Sequence, residues 1–153
     1  MTSTLNIAPD YYSRAFEFTA FQGSSFLAPH RWPVAAGAAT VDSSGHPMIL
    51  HIAATRWLLP DPSRAILSEA NEISAAGRGT LVDCSGKYTR LELSDRVYRS
   101  RLARSVDLEE VLDGRSCAQT SIYDCPTIIA RTELGLWAWV GSSHARSFLR
   151  ALG

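Results

Sequence analysis

Short alternations of apolar and polar residues, separated by clusters of Gly, Pro, Asp and Ser, run along most of this 153-residue chain. Phe16 and Phe18 flank Glu17 in the manner of a half-buried strand, and the pattern then breaks at Gly23, Ser24 and Ser25. Asp42 to Gly45 is a turn, Pro47 to Ile52 a strand, and Trp57 to Leu59 a second apolar run that stops at Pro60. Ser63 stands where an N-cap belongs, and the spacing of Ile66, Glu69 and Ile73 predicts a helix over 64–76 closed by Gly77. Leu81 to Asp83 and Tyr88 to Leu93 read as a hairpin-like pair around Ser85 and Gly86. A second helix is predicted from Ser94 or Asp95 to about Val106, with Tyr98, Leu102 and Val106 as its inner stripe. Three short strands follow, Ala118 to Tyr123, Thr127 to Thr132 and Leu136 to Val140. A closing helix capped by Ser142 or Ser143 then carries Ala145, Phe148, Leu149 and Leu152 on one face.

Hairpins without βαβ alternation predict an α+β fold, a single domain with a mostly antiparallel sheet and about three helices. Residues 1–33 read as an aromatic-rich N-terminal arm and residues 34–153 as the domain. The arm's Tyr11, Tyr12, Phe16, Phe18, Phe21 and Phe26 either pack on the domain's own core or dock on another subunit, where such side chains are enriched. Trp137 and Trp139 share one face of a regular strand. A domain of this size has difficulty burying both rings together with the arm's aromatics. That favours a contact surface for Trp137 and Trp139.

Composition narrows the function classes. Fifteen basic and fifteen acidic residues cancel, which argues against nucleic acid or an anionic membrane as partner. No apolar run reaches the ~18 residues of a membrane span, and residues 1–10 carry neither a basic stretch nor an apolar core of a signal peptide. A cytoplasmic protein is the expectation. Fourteen of the basic residues are arginine, so Schiff-base or P-loop chemistry would rest on Lys87, and no Gly-rich loop precedes it. Cys84, Cys117 and Cys125 form no CxxC pair and read as small buried hydrophobes.

The sequence contains no HExxH, GxSxG, GxGxxG, Walker or EF-hand pattern. His30, His46, His51 and His144 are scattered, and the five-residue step between His46 and His51 favours no metal. A thiolate–imidazole pair of Cys117 with His51 or His144 depends on the folded geometry. The sequence therefore supplies no catalytic, cofactor-binding or metal-binding residue.

Read as a unit, the second half carries a resemblance. Leu81–Val82–Asp83–Cys84–Ser85, Tyr88–Thr89–Arg90–Leu91–Glu92–Leu93–Ser94 and Gly114–Arg115–Ser116–Cys117–Ala118–Gln119–Thr120 resemble the gamma subunit of heterotetrameric sarcosine oxidase. Ile128 to Thr132, Leu136 to Val140 and Phe148–Leu149 continue the likeness, and Thr55 to Leu59 extends it upstream, so that it covers roughly residues 50 to 152. This resemblance implies a fold similar to the aminomethyltransferase and folate-binding group. It implies a non-catalytic small subunit of a flavoenzyme that oxidatively demethylates sarcosine or a related N-methyl amino acid. FAD, covalent FMN, NAD and tetrahydrofolate would reside in the complex, none on this chain. The alpha subunit would be the main contact, with beta and delta subunits alongside.

Under that reading Phe16, Phe18, Phe21, Arg115, Trp137 and Trp139 are the candidate partner interface. Gly114 supplies a positive φ at a turn begun by Asp113. Arg115 forms an ion pair with Asp113 or Asp83, or a bidentate contact with a partner's carboxylate. The alternative is a free-standing binder of folate or another small ligand on the same fold.

Overall fold

The nine strands of the computed structural model, which describes residues 9–11, 13–21, 32–33 and 35–153, form two antiparallel sheets. The first has the order β2-β3-β4-β1-β5, from β1 (Ala15–Ala20), β2 (Ala39–Val41), β3 (Pro47–Ala53), β4 (Arg56–Pro60) and β5 (Gly79–Asp83). The second has the order β6-β9-β8-β7, from β6 (Tyr88–Leu93), β7 (Cys117–Ile122), β8 (Cys125–Thr132) and β9 (Gly135–Gly141). Four α-helices accompany them among the described residues: α1 (Arg64–Ala75), α2 (Asp95–Val97), α3 (Leu108–Leu112) and α4 (Ala145–Leu152). The α+β class with antiparallel sheets is as the sequence predicts. Tyr12, Phe26 and the stretch Pro29–His30–Arg31 lie outside the described residues.

Period-two alternation assembles these elements into four layers. Phe16, Phe18, Ile49, Trp57 and Leu59 leave one face of the first sheet and meet Ile66 and Ala70 of α1. Leu91, Leu93, Ile129, Leu136, Ala138 and Val140 leave the outer face of the second sheet and meet Leu102, Leu108, Leu112 and Phe148 of the helical layer. Between the sheets, Ala15, Leu50, Ile52 and Leu58 pack on Cys117, Ile128, Ala130, Trp137 and Trp139. The layer order is helix, sheet, sheet, helices.

Trp137 and Trp139 do share a face, and that face is internal, each ring being 1% exposed. The surface expected for them is therefore the contact between two stacked sheets. A chain that folds into two sheets has a third core layer, which a one-sheet picture lacks. Phe16 and Phe18 likewise belong to the α1 core, because β1 lies inside the first sheet, hydrogen-bonded to β4 on one side and β5 on the other.

The hairpin expected between residues 81–83 and 88–93 does not form. β5 pairs with β1 and β6 with β9, so the turn at Cys84–Lys87 carries the chain from one sheet to the other. The second predicted helix is also shorter than its apolar spacing suggests. After α2 it continues as a π-helical turn over Tyr98–Leu102 and stops, and α3 begins afresh at an Asp107 cap. The Tyr98 hydroxyl ties the two pieces, donating to the Val106 carbonyl and accepting from the Leu108 N–H, each at 3.3 Å. The predicted start of α1 holds, with Ser63 Oγ accepting from the Ile66 N–H. Its end is a Schellman motif: Gly77, at φ +74°, donates to Ser74 and Arg78 donates to Ile73. α4 has no serine cap, because Ser142–His144 form a 3-10 turn that runs directly into it.

Backbone hydrogen bonds lace the sheets together at their margins. The Gly37 carbonyl accepts from both Ser116 and Cys117 at the start of β7, and Asp10 exchanges two backbone bonds with Arg90 of β6. Burial of both tryptophans inside the chain sets the expected mutational outcome. Trp139→Ala should lower folding stability by ~3–5 kcal/mol, read as a shift of the urea midpoint by far-UV circular dichroism. An unchanged midpoint would remove Trp139 from the core.

Candidate functional site

The candidate contact residues scatter over this architecture. Phe16, Phe18, Trp137 and Trp139 are buried, whereas Phe21 is 58% exposed at the end of β1. Arg115 is exposed and pairs with neither Asp113 nor Asp83. Its Nε donates to the Leu112 carbonyl at 2.9 Å and its Nη2 to the Val111 carbonyl at 3.1 Å. Those are carbonyls of the last turn of α3, where a cation also complements the helix dipole. Asp113 and Gly114 both have positive φ, 49° and 76°, which makes the turn that aims Arg115 back at the helix. The Arg115 stem lies so close to Gly37 that a Cβ there would come within 2.4 Å of its Cδ. Arg115 borders a groove of about 630 Å³ with Ser116 and Arg131 on one wall and Ala39 and Val41 on the other. Arg131 is paired with Glu109 at 2.7 Å.

The thiols and imidazoles do not make a nucleophile. Burial pushes the Cys117 thiol up to about 11, and burial also raises Cys84 and Cys125. Cys117 Sγ contacts the carbonyls of Ala38 and His51, while the His51 ring faces the α1 side and stacks on Trp57 at 4.2 Å. His46 belongs to the β2–β3 turn, which Asp42 organises by accepting from Ser44 and His46. Among the described residues, no three His, Cys, Asp or Glu groups come together as a metal site. No described helix is long and apolar enough to cross a membrane.

One charged cluster stands at the open end of the seam between the sheets. Glu17 projects from β1 on the side opposite Phe16 and Phe18, and its Oε1 accepts from Tyr88 Oη at 2.7 Å, Arg56 Nη2 at 3.1 Å and Lys87 Nζ at 3.4 Å. Burial alone would raise the Glu17 pKa, but the Tyr88 hydrogen bond and the charges of Arg56 and Lys87 outweigh it and hold the carboxyl below its ordinary value. Burial, and then the bond to Glu17, raise the Tyr88 phenol, which stays protonated and a donor. A cleft of about 340 Å³ opens beside the cluster, with Arg56, Lys87, Tyr88 and Gln119 in its walls and Pro126 and Ile128 on its apolar side. Glu17 is separated from its partners by 39, 70 and 71 residues, so no local motif announces the cluster. Its traces in the sequence are a carboxylate between two phenylalanines of a strand and the chain's only lysine. With its one engaged oxygen already accepting three donors, Glu17 is a poor base. The arrangement holds charge and presents hydrogen-bond donors.

No protein-family model matches the chain, and no curated protein matches it. Among solved structures it is similar to a chain of a heterotetrameric sarcosine oxidase from Corynebacterium sp. U-96 in complex with pyrrole 2-carboxylate. The TM-score is 0.75 at 21% identity, over 96% of this chain and 80% of that one. A slighter likeness joins it to the regulatory subunit of aspartate kinase from Thermus thermophilus, with a TM-score of 0.45 and 13% identity. At such identities the first likeness speaks for the fold: a mixed α+β domain of two antiparallel sheets, similar to a sarcosine oxidase subunit.

Two outcomes follow for the charged groups. Because the folded-state pKa of Glu17 is depressed, its contribution is present above the ordinary carboxylate range and is lost as pH falls through the folded value. Glu17→Gln should therefore be less stable than wild type at pH 7, and the gap should narrow below about pH 4, as urea titrations at pH 7 and pH 3 would measure. Cys117 should resist alkylation by iodoacetamide at pH 8 in the folded chain and react only in denaturant, as mass spectrometry would record.

Proposed function

We propose that this chain is the small, non-catalytic gamma subunit of a cytoplasmic, sarcosine oxidase-like heterotetrameric flavoenzyme, which oxidatively demethylates sarcosine or a related N-methyl amino acid. One observation carries the reading: the likeness to a chain of a heterotetrameric sarcosine oxidase runs over nearly the whole of this chain and most of that one. Coverage that high on both sides means that the matched chain is itself small, as a gamma subunit is. The segments Leu81–Ser85, Tyr88–Ser94 and Gly114–Thr120 support the same assignment from the sequence side.

In this reading FAD, FMN, NAD and tetrahydrofolate are held by other chains, and the alpha subunit is the main partner, with beta and delta in the same complex. The raised thiol pKa values and the lowered pKa of Glu17 suit a chain that leaves chemistry to its partners. Of the six candidate contact residues, Phe21 and Arg115 are the exposed ones and would touch the alpha subunit directly. Phe16, Phe18, Trp137 and Trp139 would support that surface from within.

Co-expression with the products of neighbouring genes tests the proposal. The expected result is co-elution with a large chain bearing flavin absorbance, and Phe21→Ala should weaken that association by roughly 1–2 kcal/mol while leaving the fold intact. Purification as a lone monomer, with no flavoprotein retained, would sink the assignment.

A further inference from the structure

The open end of the seam holds more positive charge than the fold uses. Arg56 and Lys87 are two cations sharing one carboxylate, that of Glu17, so the cluster carries a net charge of +1. None of the residues lining the adjoining cleft is acidic. Arg56 uses one of its five N–H groups on Glu17 and Lys87 one of its three, which leaves donors on both for another acceptor. Ser143 also lines the cleft, and its hydroxyl has no partner among the described residues. Gln119 forms a fixed wall, because its Nε2 is held by the Ile52 carbonyl of the facing sheet at 3.2 Å. The apolar lining of the cleft is the exposed Pro126, with buried Ile128 beneath it. Its volume of about 340 Å³ falls at the lower end of the range for small-molecule sites.

We infer that this cleft binds a small organic monocarboxylate. The carboxylate would accept from Arg56 and Lys87, assisted by Ser143, and its apolar body would lie on Pro126. A single negative charge balances the cluster, whereas a phosphate dianion would over-neutralise it. The exposed ring of Pro126 favours a ligand with a hydrocarbon part over an inorganic ion. This inference does not rest on the subunit assignment, since every group it uses belongs to this chain.

The test is a titration of the ¹⁵N-labelled full chain, followed by amide chemical shifts, with benzoate, its neutral isostere benzamide and inorganic phosphate as probes. Benzoate should give saturable shifts centred on Tyr88, Gln119, Thr127 and Ser143, with benzamide and phosphate each at least tenfold weaker. Lys87→Met should weaken benzoate at least fivefold. Lys87 is more than half exposed, and its removal leaves Glu17 held by Arg56 and Tyr88, so the spectrum of the variant should otherwise match wild type. Ser143→Ala, at an exposed position, provides a second variant, with a smaller loss expected. The inference is overturned if benzoate gives no saturable shift at these amides, if benzamide or phosphate binds as well as benzoate, or if Lys87→Met binds unchanged.

Discussion

Two antiparallel sheets held face to face by a tryptophan-rich layer are the constraint on which the other features depend. Trp137 and Trp139 of β9, with Cys117, Ile128 and Ala130, fill the space against Ala15, Leu50, Ile52 and Leu58. Aromatic side chains of this size bury large apolar areas, so this layer supplies much of the drive for stacking the sheets. Each sheet has a second apolar face, and each of those must be covered in turn. That is why α1 lies on one outside face and α2 to α4 on the other. Where the tryptophan layer ends, the seam opens and polar groups replace apolar ones, which puts the Glu17 cluster and its cleft at that position.

Elements set by local chemistry are legible in the sequence itself. Ser63 as a cap, Gly77 as a stop and the Asp113–Gly114 turn before β7 are written in residues that lie next to the feature they create. The alternation of β9 correctly puts Trp137 and Trp139 on one face. What that face meets is decided by strands about eighty residues earlier, and no window of sequence contains both partners. The hairpin between β5 and β6 fails for the same reason. Two alternating runs across a short turn suit either a hairpin or a step between sheets, and the choice is made by distant strands: β1 pairs with β5 and β9 with β6.

The candidate site divides along the same line. Arg115 stands out because it lies in a distinctive Gly-Arg segment, yet its immediate work is local, holding the last carbonyls of α3. Glu17, Arg56, Lys87 and Tyr88 come together through tertiary pairing alone: β1 against β4 brings Glu17 to Arg56, and the step from β5 to β6 brings Lys87 and Tyr88. Distance along the chain hides the cluster, and its sequence-level traces are Glu17 between two phenylalanines and the isolated lysine.

The position of β1 inside the first sheet has a consequence for synthesis. Residues 15–20 leave the ribosome before either partner, residues 56–60 on one flank and 79–83 on the other. Phe16 and Phe18 must therefore remain unpaired while some forty to sixty more residues are translated, at ~5–20 residues per second. Over those seconds the nascent chain displays a short aromatic β-former without a mate, the kind of segment that ribosome-bound chaperones shield and that pairs wrongly with a neighbouring nascent copy. The first sheet closes only when β5 is out, so β1 cannot order as soon as it is made.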